Sequence, residues 1–178
     1  MNQVLEDQLF KKYPKIFKQK DLSPQETCMC WGIACGDGWY NLLDQLCDGI
    51  QQHIDWKEEQ HHKDIEFNRV LSLALAGDRA ELENWTSRSW DREEYIQELI
   101  ETGLREVTPL VPQVVAVQVK EKFGTLRFYY EGGDDYTRGM IRLADNLSAV
   151  TCDVCGAPGE IRGRGWVRVR CDEHAKNN

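Results

Sequence analysis

The sequence has no apolar run approaching the roughly 20 residues that a membrane-spanning helix needs, which excludes a helical membrane bundle. Prolines are few, 5 in 178 residues, and neither an internal repeat nor a low-complexity tract is present, which excludes collagen-like and wholly disordered chains. Basic charge is not in surplus: 22 Lys and Arg face 30 Asp and Glu, a net of -8. Such a chain repels nucleic acid and anionic membranes as a whole, so neither general DNA coating nor membrane binding is expected. No secretory signal is legible either, because the opening MNQVLEDQLFKKYPKIF carries acids and lysines where such a signal has an apolar core. A cytoplasmic location is expected. There the 7 cysteines stay reduced, and metal binding and burial explain them better than disulfides.

The patterning that is present predicts an α+β fold, with helices packed on a small antiparallel hairpin or sheet. Tyr13 to Phe17 suggests a short helix and Ser23-Pro24-Gln25-Glu26 a capped turn. After Gly36-Asp37-Gly38, with Asp37 as the expected cap, Trp39, Leu43, Leu46, Ile50 and Ile54 step by three and four along one helical face. Gly49 is a weak point within that helix. Two further helices are expected over 62–104: one ends at Gly77, and Asp78/Glu81 and Asp91/Glu94 have the spacing of capping boxes. Trp85 and Trp90 are expected to anchor the intervening linker. Val114 to Lys120 and Thr125 to Tyr130 then alternate as two strands around Glu121-Lys122-Phe123-Gly124, with Leu126, Phe128 and Tyr130 on one face. Residues 136–149 supply the covering helix through Met140, Ile141, Leu143, Ala144 and Leu147.

The most informative motif lies in the tail. Cys152-x-x-Cys155 is followed, after 15 intervening residues, by Cys171-x-x-His174. Two close pairs at this separation are the spacing of a structural zinc module, in which four protein donors leave no coordination position for water. The chain therefore reads as a body over 1–150 and a zinc-binding module of zinc-ribbon or treble-clef kind over 151–178. Cys28, Cys30, Cys35 and Cys47 have a less typical spacing: burial beside Trp31 and Trp39, a second metal and a reactive thiol are the three readings.

Two basic surfaces are candidates for binding. In the zinc hairpin, Arg162, Arg164, Arg168 and Arg170 cluster around Trp166, and strand alternation puts Trp166, Arg168 and Arg170 on one face. That face could stack on a base and grip phosphate, or its arginines could pair with the chain's own acids. Around the central hairpin, Lys120, Lys122, Arg127 and Tyr129 form a cationic surface that could bind an anionic ligand or acidic partner, and solvated strand residues explain the pattern equally well. No Ser-His-Asp arrangement, phosphate loop or dinucleotide fingerprint is recognisable. His53, His61 and His62 fall on or after a polar helix face, where solvent exposure is expected. An enzyme would need an unrecognised pocket near Asp37, Tyr40 and the first cysteines.

At Trp31-Gly32, Cys35-Gly36-Asp37-Gly38-Trp39-Tyr40, VAVQVKEKFGTLRFYY (Val115 to Tyr130) and Cys152 to His174, the chain resembles a family of small uncharacterised proteins found in bacteria and their phages. The resemblance spans the first 60 residues and 113–174, and it leaves 61–112 as a helical insertion. It implies a cytoplasmic accessory factor of phage or prophage origin, and by analogy with such proteins one that binds a host or defence protein; with no catalytic motif recognisable, a non-enzymatic binding role is expected. The alternative is a nucleic-acid or nucleotide binder using the Trp/Arg face of the zinc hairpin.

Overall fold

The computed structural model describes residues 1–86, 91–163 and 165–175. The chain is a mixed α/β protein that divides into two compact units, Met1–Ile54 with Val111–Asn178, and Asp55–Leu110. Among the described residues no helix is long and apolar enough to cross a membrane.

The first unit begins with α1 (Gln3–Lys12), capped by the Asn2 side chain on the Leu5 amide at 3.0 Å. This helix stands before Pro14, not over 13–17 as the sequence suggests. Proline disfavours helical backbone in the residue ahead of it, so the chain turns there and drops Tyr13, Ile16 and Phe17 into the core. The expected capped turn forms, with the Glu26 carboxylate accepting from the Ser23 amide at 3.1 Å and its hydroxyl at 2.7 Å.

Strand β1 (Ile33–Ala34) lies parallel to β2 (Val115–Lys122), which pairs antiparallel with β3 (Thr125–Glu131), giving the sheet order β1-β2-β3. Leu126 and Phe128 are buried and Tyr130 packs against the same core. Simple alternation fails on β2, where the register shifts between Ala116 and Gln118. Val117 is the extra residue, and the bulge lets Val115, Ala116 and Val119 all be buried. The turn is also two residues tighter than expected. Lys122 pairs with Thr125, leaving Phe123 and Gly124 at φ 54° and 83°, the two positive values of a type I′ hairpin turn.

A long helix, α2 (Tyr40–Leu75), follows a single 3₁₀ turn at Asp37–Trp39. Trp39, Leu43, Leu46, Ile50 and Ile54 are buried as the spacing predicts. Asp37 does not cap the turn; its carboxylate accepts from the Asn2 backbone amide at 2.6 Å and the Asn2 side chain at 2.8 Å. The covering helix α5 (Asp135–Ser148) starts with a capping box, with Asp134 and Thr137 reciprocally bonded. Gly49 of α2 marks where α5 comes close, since a Cβ there would meet the Met140 methyl. Leu143 and Leu147, expected in the stripe, remain exposed.

In the second unit α2 continues to Leu75 instead of restarting near residue 62, and α3 (Ala80–Trp85) and α4 (Arg92–Thr102) follow. Phe67, Val70, Leu71, Ala74, Leu82, Ile96 and Leu99 form its core. Neither expected capping box forms at α3 or α4: Arg79 and Asp91 occupy the cap positions without side-chain bonds, and Glu81 is drawn into an ion pair with Arg69. Trp85 is half exposed beside Phe67, with ring centroids 5.8 Å apart, and Trp90 lies outside the described residues.

Candidate metal centre

The tail leaves α5 through Thr151, runs through Cys152 and Cys155, and returns as the hairpin β4 (Glu160–Arg162) and β5 (Arg168–Arg170) to the short α6 (Asp172–Ala175). The Cys152 carbonyl accepts from the Gly156 amide at 2.9 Å, and the Cys152 amide donates to Ala157 O at 2.8 Å. This tight loop needs positive φ at Gly156, which is 78°. Glu160 pairs with Arg170 across the hairpin, so Cys171 and His174 are carried back to the first pair.

The donor atoms of Cys152, Cys155, Cys171 and His174 all lie within 4.8 Å of one another. Cys155 Sγ and Cys171 Sγ are 3.7 Å apart, His174 Nδ1 is 3.7 Å from Cys152 Sγ and 3.1 Å from Cys171 Sγ. A disulfide would need about 2.05 Å, so the sulfurs stand as separate donors. The four residues could hold a metal ion, as their spacing predicts.

Electrostatics favours anionic sulfur at the buried corner. Burial would push the Cys152 thiol up, but the amides of Cys171, Val154 and Cys155 outweigh it and bring the group down to about 6. At Cys155 the Ala157 amide likewise pulls the thiol down, but desolvation and the neighbouring Cys152 and Cys171 thiols outweigh it and leave the group raised.

The N-terminal motif is part of this centre, a role that local spacing does not reveal. The Gly38 amide donates to the Asp153 carbonyl at 3.0 Å, and the Trp39 indole Nε1 donates to Thr151 O at 2.8 Å. A Cβ at Gly36 or Gly38 would fall closer than 3.0 Å to the backbone of Asp153 or of Cys152, Cys155 and Gly156. The two glycines are thus the bed on which the Cys152–Cys155 loop lies. The Asp153 side chain, 1% exposed, faces inward and pairs with Arg168 at 3.2 Å and with Arg170.

The remaining sequence candidates are distributed as follows. Arg162 pairs with Glu160 at 2.8 Å and with Asp172, and Arg127 pairs with Asp145 at 2.7 Å. Arg164 lies outside the described residues. Trp166 projects into solvent, 75% exposed, with the Arg168 guanidinium 5.8 Å from its ring centre. Lys122 is exposed with its ammonium 5.4 Å from the Phe123 ring centre. Phe123 is itself 72% exposed and lines one concavity with Trp166, Lys122 and Val167. Sequence reasoning places Phe123 in a turn and overlooks it. The available signal is a bulky aromatic directly before the turn glycine, where Asn or Asp is favoured.

Of the first four cysteines, Cys35 and Cys47 are buried, and burial raises both thiols, Cys35 to about 12. Cys28 and Cys30 are half buried, and Trp31 is exposed instead of covering them. Among the described residues the Cys/His group of the tail is the one that converges for a metal. His53 departs from the exposed position expected of it: Nε2 is 2.8 Å from Asp134 Oδ2 and its ring stacks on Tyr136 at 4.4 Å. His61 Nδ1 is 2.7 Å from Thr108 O, and His62 is exposed.

No protein-family model, curated protein or solved structure matches the chain.

Proposed function

We propose that this chain is a zinc-stabilised binding protein without catalytic activity, cytoplasmic, and that it docks a partner protein on the aromatic concavity formed by Phe123 and Trp166. The ion is zinc: three thiolates and one imidazole suit it, and a tetrahedral zinc site has sulfur-to-sulfur edges of about 3.8 Å. The Cys155–Cys171 separation of 3.7 Å is close to that edge. A Cys-x-x-Cys loop, a hairpin and a second ligand pair at the start of a helix follow one another in the order of a treble clef. The metal then serves structure, holding the hairpin that presents Trp166.

The observation that carries the binding role is the backbone of Phe123. A bulky residue at φ 54° costs about 1–3 kcal/mol, and Asn or Gly would remove that cost. The sequence keeps an aromatic there, 72% exposed, beside an indole 75% exposed. Strain held at a ring that stays largely open to solvent, with the Lys122 ammonium 5.4 Å from its centre, is a signature of an interface anchor. A partner among host or defence proteins, with the chain as a phage or prophage accessory factor, is the biological setting we infer.

The nucleic-acid reading is weaker on the same surface. The guanidiniums that a phosphate would need are held by carboxylates, Arg168 and Arg170 by Asp153 and Arg162 by Glu160 and Asp172.

The test is Phe123→Asn alongside Trp166→Ala, each checked for metal content. Partner capture from bacterial lysate, quantified against wild type, falls in both variants, while Phe123→Asn raises stability by about 1 kcal/mol. Capture unchanged in both variants contradicts the docking role. Saturable, steeply salt-dependent binding of a single-stranded oligonucleotide that needs Trp166 favours the nucleic-acid reading instead.

A further inference from the structure

Strand β3 is an edge of its sheet, and its hydrogen bonding can be followed residue by residue. The Lys122/Thr125 pair closes the turn, and antiparallel pairs alternate between bonded and unbonded positions. Thr125, Arg127 and Tyr129 therefore turn their backbone groups toward β2, and Leu126, Phe128 and Tyr130 turn theirs outward. The bulge is on β2, so the alternation along β3 is unbroken.

The chain itself occupies the first outward pair. The Leu126 amide donates to Ser148 Oγ at 2.8 Å and the Leu126 carbonyl accepts from Arg127 Nη1 at 2.9 Å. At Phe128 and Tyr130 the outward groups have no partner among the described residues. Beside this open edge stands α5, and the groove between them is lined by Arg127, Tyr130, Arg138, Ile141, Arg142 and Asp145, among others. Arg138 pairs with Asp135 at 2.8 Å and Arg127 with Asp145, but Arg142, exposed, makes no ion pair among the described residues. The groove thus carries unbalanced positive charge in a chain whose net charge is -8.

We propose that the groove between β3 and α5 receives an extended acidic segment of a partner protein, which adds to the sheet as a fourth strand. Main-chain bonds to Phe128 and Tyr130 give it register, a carboxylate meets Arg142, and an apolar side chain rests on Ile141. A second copy of this chain is the wrong occupant, because edge-to-edge pairing would bring the unbalanced Arg142 of one groove against that of the other and would offer it no acidic strand. The surface is separate from the Phe123/Trp166 concavity, so each reading stands or falls alone.

The experiment uses the metal-loaded full chain and two fluorescein-labelled heptapeptides, one alternating glutamate with valine and one alternating lysine with valine. The acidic peptide binds saturably in fluorescence anisotropy, the lysine peptide at least about tenfold more weakly, and Arg142→Glu weakens the acidic peptide about tenfold with an unchanged unfolding midpoint. In the wild type, hydrogen exchange at the Phe128 and Tyr130 amides slows when the acidic peptide is added. Equal affinity for both peptides, no saturable binding of either at millimolar concentration, or unchanged exchange at those two amides overturns the proposal. Trp166→Ala leaves this binding intact, which separates it from the aromatic docking site.

Discussion

Arg170, near the end of the tail hairpin, pairs with Asp153, a residue inside the Cys152–Cys155 loop whose side chain is 1% exposed. Arg168 joins the same carboxylate at 3.2 Å. One buried charge therefore ties β5 to the loop that supplies the first two metal donors, and it accounts for two of the arginines that alternation places beside Trp166. A buried carboxylate with two guanidiniums exacts a heavy penalty when it is removed, because the cations stay behind.

Asp153→Asn is accordingly expected to lose about 3 kcal/mol of stability and to weaken metal retention. Urea unfolding followed by circular dichroism, with a chelator competition on the same samples, measures both. An unchanged midpoint and unchanged chelator resistance would mean that the cluster is dispensable.

The glycines beneath the loop make a second prediction. At Gly38 a methyl group would press on backbone atoms of Cys152, Cys155 and Gly156, none of which is the free end of a side chain that could swing away. Gly38→Ala should cost about 3 kcal/mol and lower metal affinity, although it lies far from the ligands in sequence. Gly49→Ala is the internal control. There the obstacle is the flexible Met140 methyl, so the expected change is within about 1 kcal/mol once the helix-propensity gain is included. Equal effects at the two positions would contradict the seating of the loop on Gly38.

The contrast between these glycines indicates what the sequence makes legible. The four ligands are readable because metal chemistry fixes their spacing within a short stretch. The inward set Leu126, Phe128 and Tyr130 is readable because a strand repeats every two residues. Gly36-Asp37-Gly38 looks locally like a helix start, but its role comes from the Cys152–Gly156 backbone, more than a hundred residues away, and no local pattern encodes that contact. The continuity of α2 is hidden for a related reason. Between Ile54 and Phe67 the helix has little apolar rhythm and is supported by pairs such as Glu59 with Lys63 at 2.6 Å, which a search for apolar periodicity overlooks.

Acid should loosen the start of α5. Burial would raise the Asp134 carboxyl, but the Thr137 amide and His53 outweigh it and hold the group below its ordinary value. The unfolded chain takes up the proton first, so the stability that Asp134 contributes is complete above the ordinary carboxylate pKa of about 4 and is lost as pH falls through the lower folded value. Thermal unfolding from pH 6 down to pH 3, roughly spanning that window, should show wild type losing its advantage over Asp134→Asn as the acid limit is approached. A difference between the two proteins that does not vary with pH would contradict this role.

Metal content tests the central claim most directly. Inductively coupled plasma mass spectrometry of protein purified without added chelator should find one zinc per chain, and Cys155→Ser should lose it while the far-ultraviolet signature of α2 persists. In the metal-free protein the buried Trp39, whose indole bonds the Thr151 carbonyl at 2.8 Å, should report the loosened tail through its fluorescence. Wild-type protein without stoichiometric zinc, or Cys155→Ser that retains it, would contradict the assignment of Cys152, Cys155, Cys171 and His174 as a structural zinc site.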